Sequence, residues 1–519
     1  MFRNSLSIRR STLTRVLQLL LCLSGAAELQ AQSKPVKMNS ANNNPEEVSI
    51  AINPRNPKIQ VAASNINNFY ASSDGGRTWK ERTLASAHGY WGDPMLHFDM
   101  YGNLYIAHLG KNPEKYYPTW IDNMVVQRIN YSGDTCFSDA SIGYTEKKIQ
   151  DKEWLSSDDK NLYLTWTEFD KYESRNPADH SRIYFSQSPD KGRTWTSPLL
   201  VSDMEGDCLD GDSTMEGATS CTDSKGTIYV CWSGINRIWF DKSTDGGKSF
   251  GPDKLVTQQH EGWEIPVNYI YRSNGMPFLL CNSVHPLHKD RLYINWSDTR
   301  NGHADVFVKY SDDGGNTWSR DIRVNDDAPG TNAMQFSNNM AIDPATGKLY
   351  VIFYDTRNSS TGAFIDVYVA QSTDGGETWK NFRVTPVSFP APGKKVFFGD
   401  YIDIDAVQGI IRPAYTMNND GRLHVYTSLL DTANLNKLTP AKGIQAMFLN
   451  DSLFIHIQPH SSHTYNLSVT YNSIKRSWSG AEPEKEVDYV IPARGIYKAT
   501  IKYRCGLKRQ KLQLVNVFE

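Results

Sequence analysis

One eight-residue phrase occurs five times in this chain: SSDGGRTW at 72–79, SPDKGRTW at 188–195, STDGGKSF at 243–250, SDDGGNTW at 311–318 and STDGGETW at 372–379. A recurring phrase means that the fold repeats one supersecondary unit, which constrains the architecture more than any local propensity does. The physics of the phrase is that of a hairpin tip. Asp74, Asp190, Asp245, Asp313 and Asp374 each offer a carboxylate to the turn backbone, while Gly76, Gly192, Gly247, Gly315 and Gly376 tolerate positive φ. The closing aromatics, Trp79, Trp195, Phe250, Trp318 and Trp379, are expected to fold back as apolar plugs between neighbouring sheets. The five aspartates are therefore read as structural.

Around the phrases lie runs rich in β-branched and aromatic residues with period-two character: IQVAASN at 59–65, GNLYIAHL at 102–109, NLYLTWTEF at 161–169, GTIYVCWSG at 226–234, RLYINWSD at 291–298, KLYVIFYD at 348–355 and IIRPAYTM at 410–417. The phrase resembles the Asp-box, or bacterial neuraminidase repeat, of the sialidase-like β-propellers. Its aspartates lie 116, 55, 68 and 61 residues apart, and the wide first gap has room for a degenerate copy, YSGDTCF at 131–137 with Asp134. One strand-like run per blade gives an all-β chain with a seven-bladed propeller over 45–432, six blades being the alternative.

The N-terminus carries Arg3, Arg9, Arg10 and Arg15, then the apolar run VLQLLLCLSG and small residues up to Ala31. Residues 1–31 read as a secretory signal peptide, which makes the protein secreted or cell-surface. No later stretch is long and apolar enough to cross a membrane as a helix. Six further cysteines, Cys136, Cys208, Cys221, Cys231, Cys281 and Cys505, permit disulfides without requiring them. With 55 basic and 57 acidic residues the net charge of −2 selects no partner, and the lack of a basic run interleaved with aromatics argues against nucleic acid. After residue 432 the phrase stops. Residues 433–443 read as a linker and 444–519 as a small β-sandwich, whose RGIYKATIKY and KRQKLQLVN segments resemble the sorting domain used by type IX secretion machinery.

Chemistry is expected at one mouth of the central channel, from inner strands and adjoining loops. The segment 88–110 places His88 in a loop and His108 at a strand end, and Tyr172 and Arg182 follow from the next blade. Two histidines, a tyrosine and an arginine suit β-elimination of a uronic acid, which needs a carboxylate-neutralising group, a base and an acid. This ordered set resembles the propeller-fold ulvan lyases. The resemblance implies that His88 and Tyr172 transfer protons, that His108 assists or binds the uronate and that Arg182 neutralises it, on an anionic polysaccharide.

A sialidase-type glycosidase is the second reading. The Arg-Ile-Pro phrase expected before the first box is missing, but Arg272, Arg300, Arg357 and Arg412 remain as carboxylate binders. Arg300 and Arg357 both sit in a repeated Asp-Thr-Arg-Asn phrase, which favours structural ion pairs. A non-catalytic carbohydrate-binding propeller is the third reading. Cys281, His285 and His288, with His260, have a spacing compatible with structural zinc. The acidic stretch 206–218 lacks the spacing of a calcium loop and reads as turn-capping.

Overall fold

The computed structural model describes residues 35–40, 44–116, 119–419 and 421–438, together with the C-terminal strand segments 443–449, 452–458, 464–471, 474–481, 486–492, 498–505 and 508–515. The proposed signal peptide lies outside the described residues. Seven antiparallel sheets make up the first part of the chain, six of them built on four successive strands. Blade 1 comprises Ser49–Ile52, Gln60–Ser64, Asn68–Ser72 and Lys80–Thr83, and blade 2 comprises Gly92–Phe98, Leu104–Leu109, Met124–Ile129 and Cys136–Ile142. Blade 3 comprises Ile149–Ser157, Leu162–Phe169, Ser181–Ser188 and Leu199–Leu200; blade 4 comprises Glu216–Thr222, Ile228–Ser233, Arg237–Ser243 and Lys254–Gln258. Blade 5 comprises Phe278–Cys281, Leu292–Asp298, Asp305–Ser311 and Ile322–Arg323; blade 6 comprises Gln335–Ile342, Leu349–Asp355, Phe364–Ser372 and Lys380–Arg383. Blade 7 takes Asp403–Val407, Ile410–Asn419 and Arg422–Thr427 and completes itself with Val36–Lys37 from the N-terminal side. The first strand of each blade touches the first strand of the next, and blade 7 returns to blade 1, so the sheets close a ring around a channel.

All seven strand-like runs of the sequence are second strands. They are buried on both faces, so the side chains of both alternating sets are packed in the interior. The propeller begins nearer residue 36 than the expected 45, because blade 7 needs a fourth strand and Val36 and Lys37 pair with Thr427 and Tyr426. That closure also explains why no phrase occurs in blade 7: its third and fourth strands are not joined by a turn.

The five phrases share one hydrogen-bond scheme. In the first, Asp74 Oδ1 accepts from Ser72 Oγ at 2.8 Å, Arg77 N at 2.9 Å and Thr78 N at 3.0 Å, while Oδ2 accepts from Thr78 Oγ1 at 2.6 Å. These bonds hold the Asp74 and Asp313 carboxyls down at about 2, the Thr78 and Thr317 hydroxyls and amides among the donors outweighing the little burial there is. Phe250 packs on Phe185 of the preceding blade at 5.2 Å, and Trp318 packs on Phe240 at 5.3 Å. Gly315 shows why glycine is needed: at φ 76° a Cβ would lie 2.2 Å from the Phe240 ring. YSGDTCF occupies the equivalent turn of blade 2 but is wired through Asn130, whose Oδ1 accepts from the amides of Asp134 and Thr135.

After Leu435–Lys437, a single 3-10 turn, come two further antiparallel sheets. One orders Gly443–Leu449, Ser452–Gln458 and Val487–Pro492; the other orders Ile474–Ala481, Thr464–Tyr471, Lys498–Cys505 and Lys508–Val515. The first docks on blade 6. Asp488 Oδ2 accepts from Ser359 Oγ and Thr361 Oγ1, both at 2.7 Å, Glu486 pairs with Arg383, and His456 stacks on Phe364 with centroids 4.9 Å apart.

Candidate functional site

Antiparallel pairing sends the turns between strands 1 and 2 and between strands 3 and 4 to one end of the channel. The connections entering strand 1 and those between strands 2 and 3 lie at the other. A cavity of about 300 Å³ opens at this second end, lined among others by Glu46, Glu47, Asp93, Asp151, Lys152, Tyr172 and Arg272, with Trp91, Trp120 and Phe397 as apolar wall.

The side chains reach the cavity because several inner strands are bulged where they enter. Strand pairing shifts register between Gly92 and Met95, between Asp151 and Trp154, and between Glu216 and Thr219. Within or beside these irregularities Asp93 and Lys152 have φ of 52° and 51°, and Glu47 and Asp210 in the adjoining loops have 52° and 53°. Left-handed backbone at four non-glycine residues of one site is strain held by its surroundings, and a bulge re-aims a side chain that would otherwise point into the sheet.

Lys152 and Arg272 are the cations lining the cavity, and both are engaged. Lys152 Nζ lies 2.7 Å from Asp93 Oδ2, 2.8 Å from Asp400 Oδ2 and 3.6 Å from Glu47 Oε1. Arg272 grips both oxygens of Asp400, with Nε to Oδ1 at 2.8 Å, and turns Nη1 to Asp210 Oδ2 at 2.5 Å. The Tyr172 hydroxyl donates to that same Asp210 oxygen at 2.6 Å, and Trp263 Nε1 donates to the other at 2.9 Å. Asp400 is fully buried, yet Arg272 and Lys152 outweigh the desolvation and hold it well below the ordinary carboxylate range.

Five other acids are less fully compensated. Burial, aided by the Asp93 charge, pushes Glu46 up to about 8. Burial likewise lifts Asp151 to about 7 against the pull of Lys152. Glu47 rises well above its usual value by burial and by sharing a hydrogen bond with Asp93. Glu153 and Glu216 are buried with neither carboxyl oxygen bonded among the described residues, and desolvation raises both far above 4.5. The site thus presents one deeply ionised carboxylate, Asp400, locked by two cations, with Glu46, Glu47, Asp151, Glu153 and Glu216 near it held above the ordinary carboxylate range.

His88, His108, Tyr172 and Arg182 all lie at the cavity's end of the channel, but only Tyr172 lines the cavity. His108 is fully buried, stacked on Tyr90 at 3.5 Å with Nδ1 3.0 Å from the Leu109 carbonyl, and burial lowers it to about 4. His88 sits half-buried in the loop before blade 2. Arg182 is committed to Asp170 at 2.8 Å and Glu205 at 2.6 Å. Of the arginines read as carboxylate binders, Arg272 lines the cavity. Arg300 is held by Asp298, Asp321 and the Gln258 carbonyl, Arg357 by Asp355, Asp326 and Asn381, and Arg412 by Gln60 and three backbone carbonyls.

The zinc expectation does not fit the geometry. Cys281, His285 and His288 fall at the end of the channel away from the cavity, whereas exposed His260 precedes blade 5 at the cavity end, a strand length away. The 282–291 turn is organised by Asn282, whose Nδ2 donates to the carbonyls of His285, Leu287 and His288. Among the described residues no three His, Cys, Asp or Glu side chains converge as a metal site.

The cavity acids went unread in the sequence, although a signal was there. Five of the seven inner strands are entered through charged residues: EEVSI, GDPML, QDKEW, MEGAT and GDYID. Aligned blade by blade, these charges recur at the cavity end of the channel, and in blades 2, 3 and 4 a bulge accompanies them.

No family model and no curated protein matches this chain. Solved structures that resemble it include an α-L-arabinanase from Penicillium chrysogenum, at 12% identity and TM-score 0.41 over 78% of this chain and 99% of that one. An ulvan lyase, described as a new family of polysaccharide lyase, aligns at 13% identity and TM-score 0.43 over 79% and 100%. A Hadza microbial sialidase aligns at 16% identity and TM-score 0.40 over 72% and 73%.

Proposed function

We propose that the channel-mouth cavity hydrolyses glycosidic bonds of a sugar without a carboxylate, using side-chain carboxyl groups as its proton-transfer groups. The observation that carries this reading is the pairing of protonated acids with a large excess of carboxyl over cationic groups. Glycoside hydrolysis needs a carboxylic acid to protonate the leaving oxygen and a second carboxyl group to act as base or nucleophile at a centre that becomes positive. Asp151, lifted to about 7, suits the acid, and Asp93, on the adjacent inner strand and lining the same cavity, suits the second role. Lys152 orients Asp93. Trp91, Trp120 and Phe397 offer the apolar faces on which sugar rings stack. A uronate or sialate would enter against Glu46, Glu47, Asp93 and Asp151, with Lys152 and Arg272 already satisfied by Asp400, Asp93 and Asp210.

A specific observation favours a second reading, β-elimination on a uronate polysaccharide such as ulvan. A phenol and a guanidinium, Tyr172 and Arg272, meet on one oxygen of Asp210 inside the cavity, and these residue types serve that reaction. It requires Arg272 to leave Asp400 for the substrate. A panel of aryl glycosides bearing neutral, amino, uronic and sialic sugars tests the two. Release of aglycone from an uncharged sugar, abolished in Asp151→Asn and Asp93→Asn, supports hydrolysis. An unsaturated-uronate chromophore formed from ulvan and lost in Tyr172→Phe supports elimination.

A further inference from the structure

The inner strands of blades 4 and 5, Glu216–Thr222 and Phe278–Cys281, leave the cavity end side by side and in the same direction. Thr219 fixes their alignment: its hydroxyl donates to the Pro277 carbonyl at 3.1 Å and accepts from the Leu279 amide at 3.0 Å. Two residues further along each strand, which returns the side chain to the same face, stand Cys221 and Cys281. Both flank one apolar cluster between the blades, with Tyr229, Cys231, Leu279 and Leu292. Both are free thiols and both residues are partly buried rather than sealed in the core. Desolvation, with a hydrogen-bonding contact to the Cys281 sulfur, raises the Cys221 thiol well above its ordinary value.

We infer that Cys221 and Cys281 are the partners of an inter-blade disulfide at the end of the channel remote from the cavity. It forms by exchange with an oxidant of the disulfide class. One thiolate attacks a sulfur of the oxidant, giving a mixed disulfide and releasing the first oxidant thiolate. The second cysteine thiolate then attacks its neighbour's sulfur and releases the second. Two protein thiols are oxidised, one oxidant disulfide is reduced to two thiols, and the two protons that leave the cysteines are taken up by the two released thiolates. The link ties residues 60 positions apart in blades that otherwise meet through side chains, and so restricts the unfolded chain.

The test is peptide mapping of the full chain after equilibration with oxidised glutathione, acid quenching and alkylation, with and without prior reduction. The inference predicts a Cys221–Cys281 linked peptide, lighter by two hydrogens than its two parts and lost on reduction. It also predicts a Tm that falls by several degrees in reductant, and a Cys281→Ser variant whose Tm ignores reductant. Recovery of Cys221 and Cys281 as separately alkylated or glutathionylated peptides, or of Cys221 linked to Cys231, overturns it.

Discussion

Burying a carboxyl group without a full set of partners raises its pKa, as happens at Glu46, Glu47 and Asp151 in the cavity lining and at Glu153 and Glu216 on the inner strands. A general acid works only while protonated, so kcat is expected to fall as pH rises through about 7, where Asp151 loses its proton. Asp151→Asn keeps the shape, removes the proton and is expected to lower kcat by roughly a thousandfold with Tm little changed, as steady-state kinetics and thermal melts would show. Asp400→Ala behaves oppositely. It strands Arg272 and Lys152 in a buried site and costs about 3–5 kcal/mol of stability, read from denaturant unfolding. Little of this was legible one residue at a time. Histidine draws the eye because it titrates near neutrality, yet His108 is neutral under the Tyr90 ring, while carboxyls such as Asp151 titrate there because they are buried, and burial is a property of the fold.

At the scale of the element the sequence was far more transparent. The five phrases and seven runs mark the turn and the second strand, both of which are determined locally by backbone hydrogen bonds and by burial on two faces. Closure was not legible, since Val36–Lys37 is two residues long and its pairing partner lies almost 400 positions away. Removing residues 35–40 is expected to expose the Arg422–Thr427 edge and the face covered by Met38, lowering Tm sharply and promoting aggregation, measurable by melting and light scattering. Asp374→Ala removes the acceptor of four bonds and is expected to cost on the order of 1 kcal/mol in an unfolding titration. The same change at Asp134 should cost less, because there Asn130 continues to accept from the turn amides.

Over the whole molecule the shifted carboxyls set a pH window for stability. Asp151, Asp241 and Asp403, each lifted to about 7 chiefly by burial, keep protons that the unfolded chain releases near pH ~4, so stability falls as pH rises between these values. The phrase aspartates act in reverse: their contribution is present above about pH 4 and is lost as pH falls through about 2. Tm should therefore peak in mild acid and decline on both sides. His456, raised to about 9 by Asp488 and Glu486 in spite of its burial, adds a contribution that is full below about pH 6.5 and gone once pH passes 9. The most direct test of the carboxyl-driven cavity follows reducing ends and unsaturated-uronate absorbance together while the full chain acts on uncharged aryl glycosides and on ulvan. Hydrolysis predicts new reducing ends from an uncharged glycoside, no chromophore, and no turnover in Asp151→Asn. A growing chromophore from ulvan, with the uncharged glycosides untouched and Asp151→Asn fully active, would contradict it.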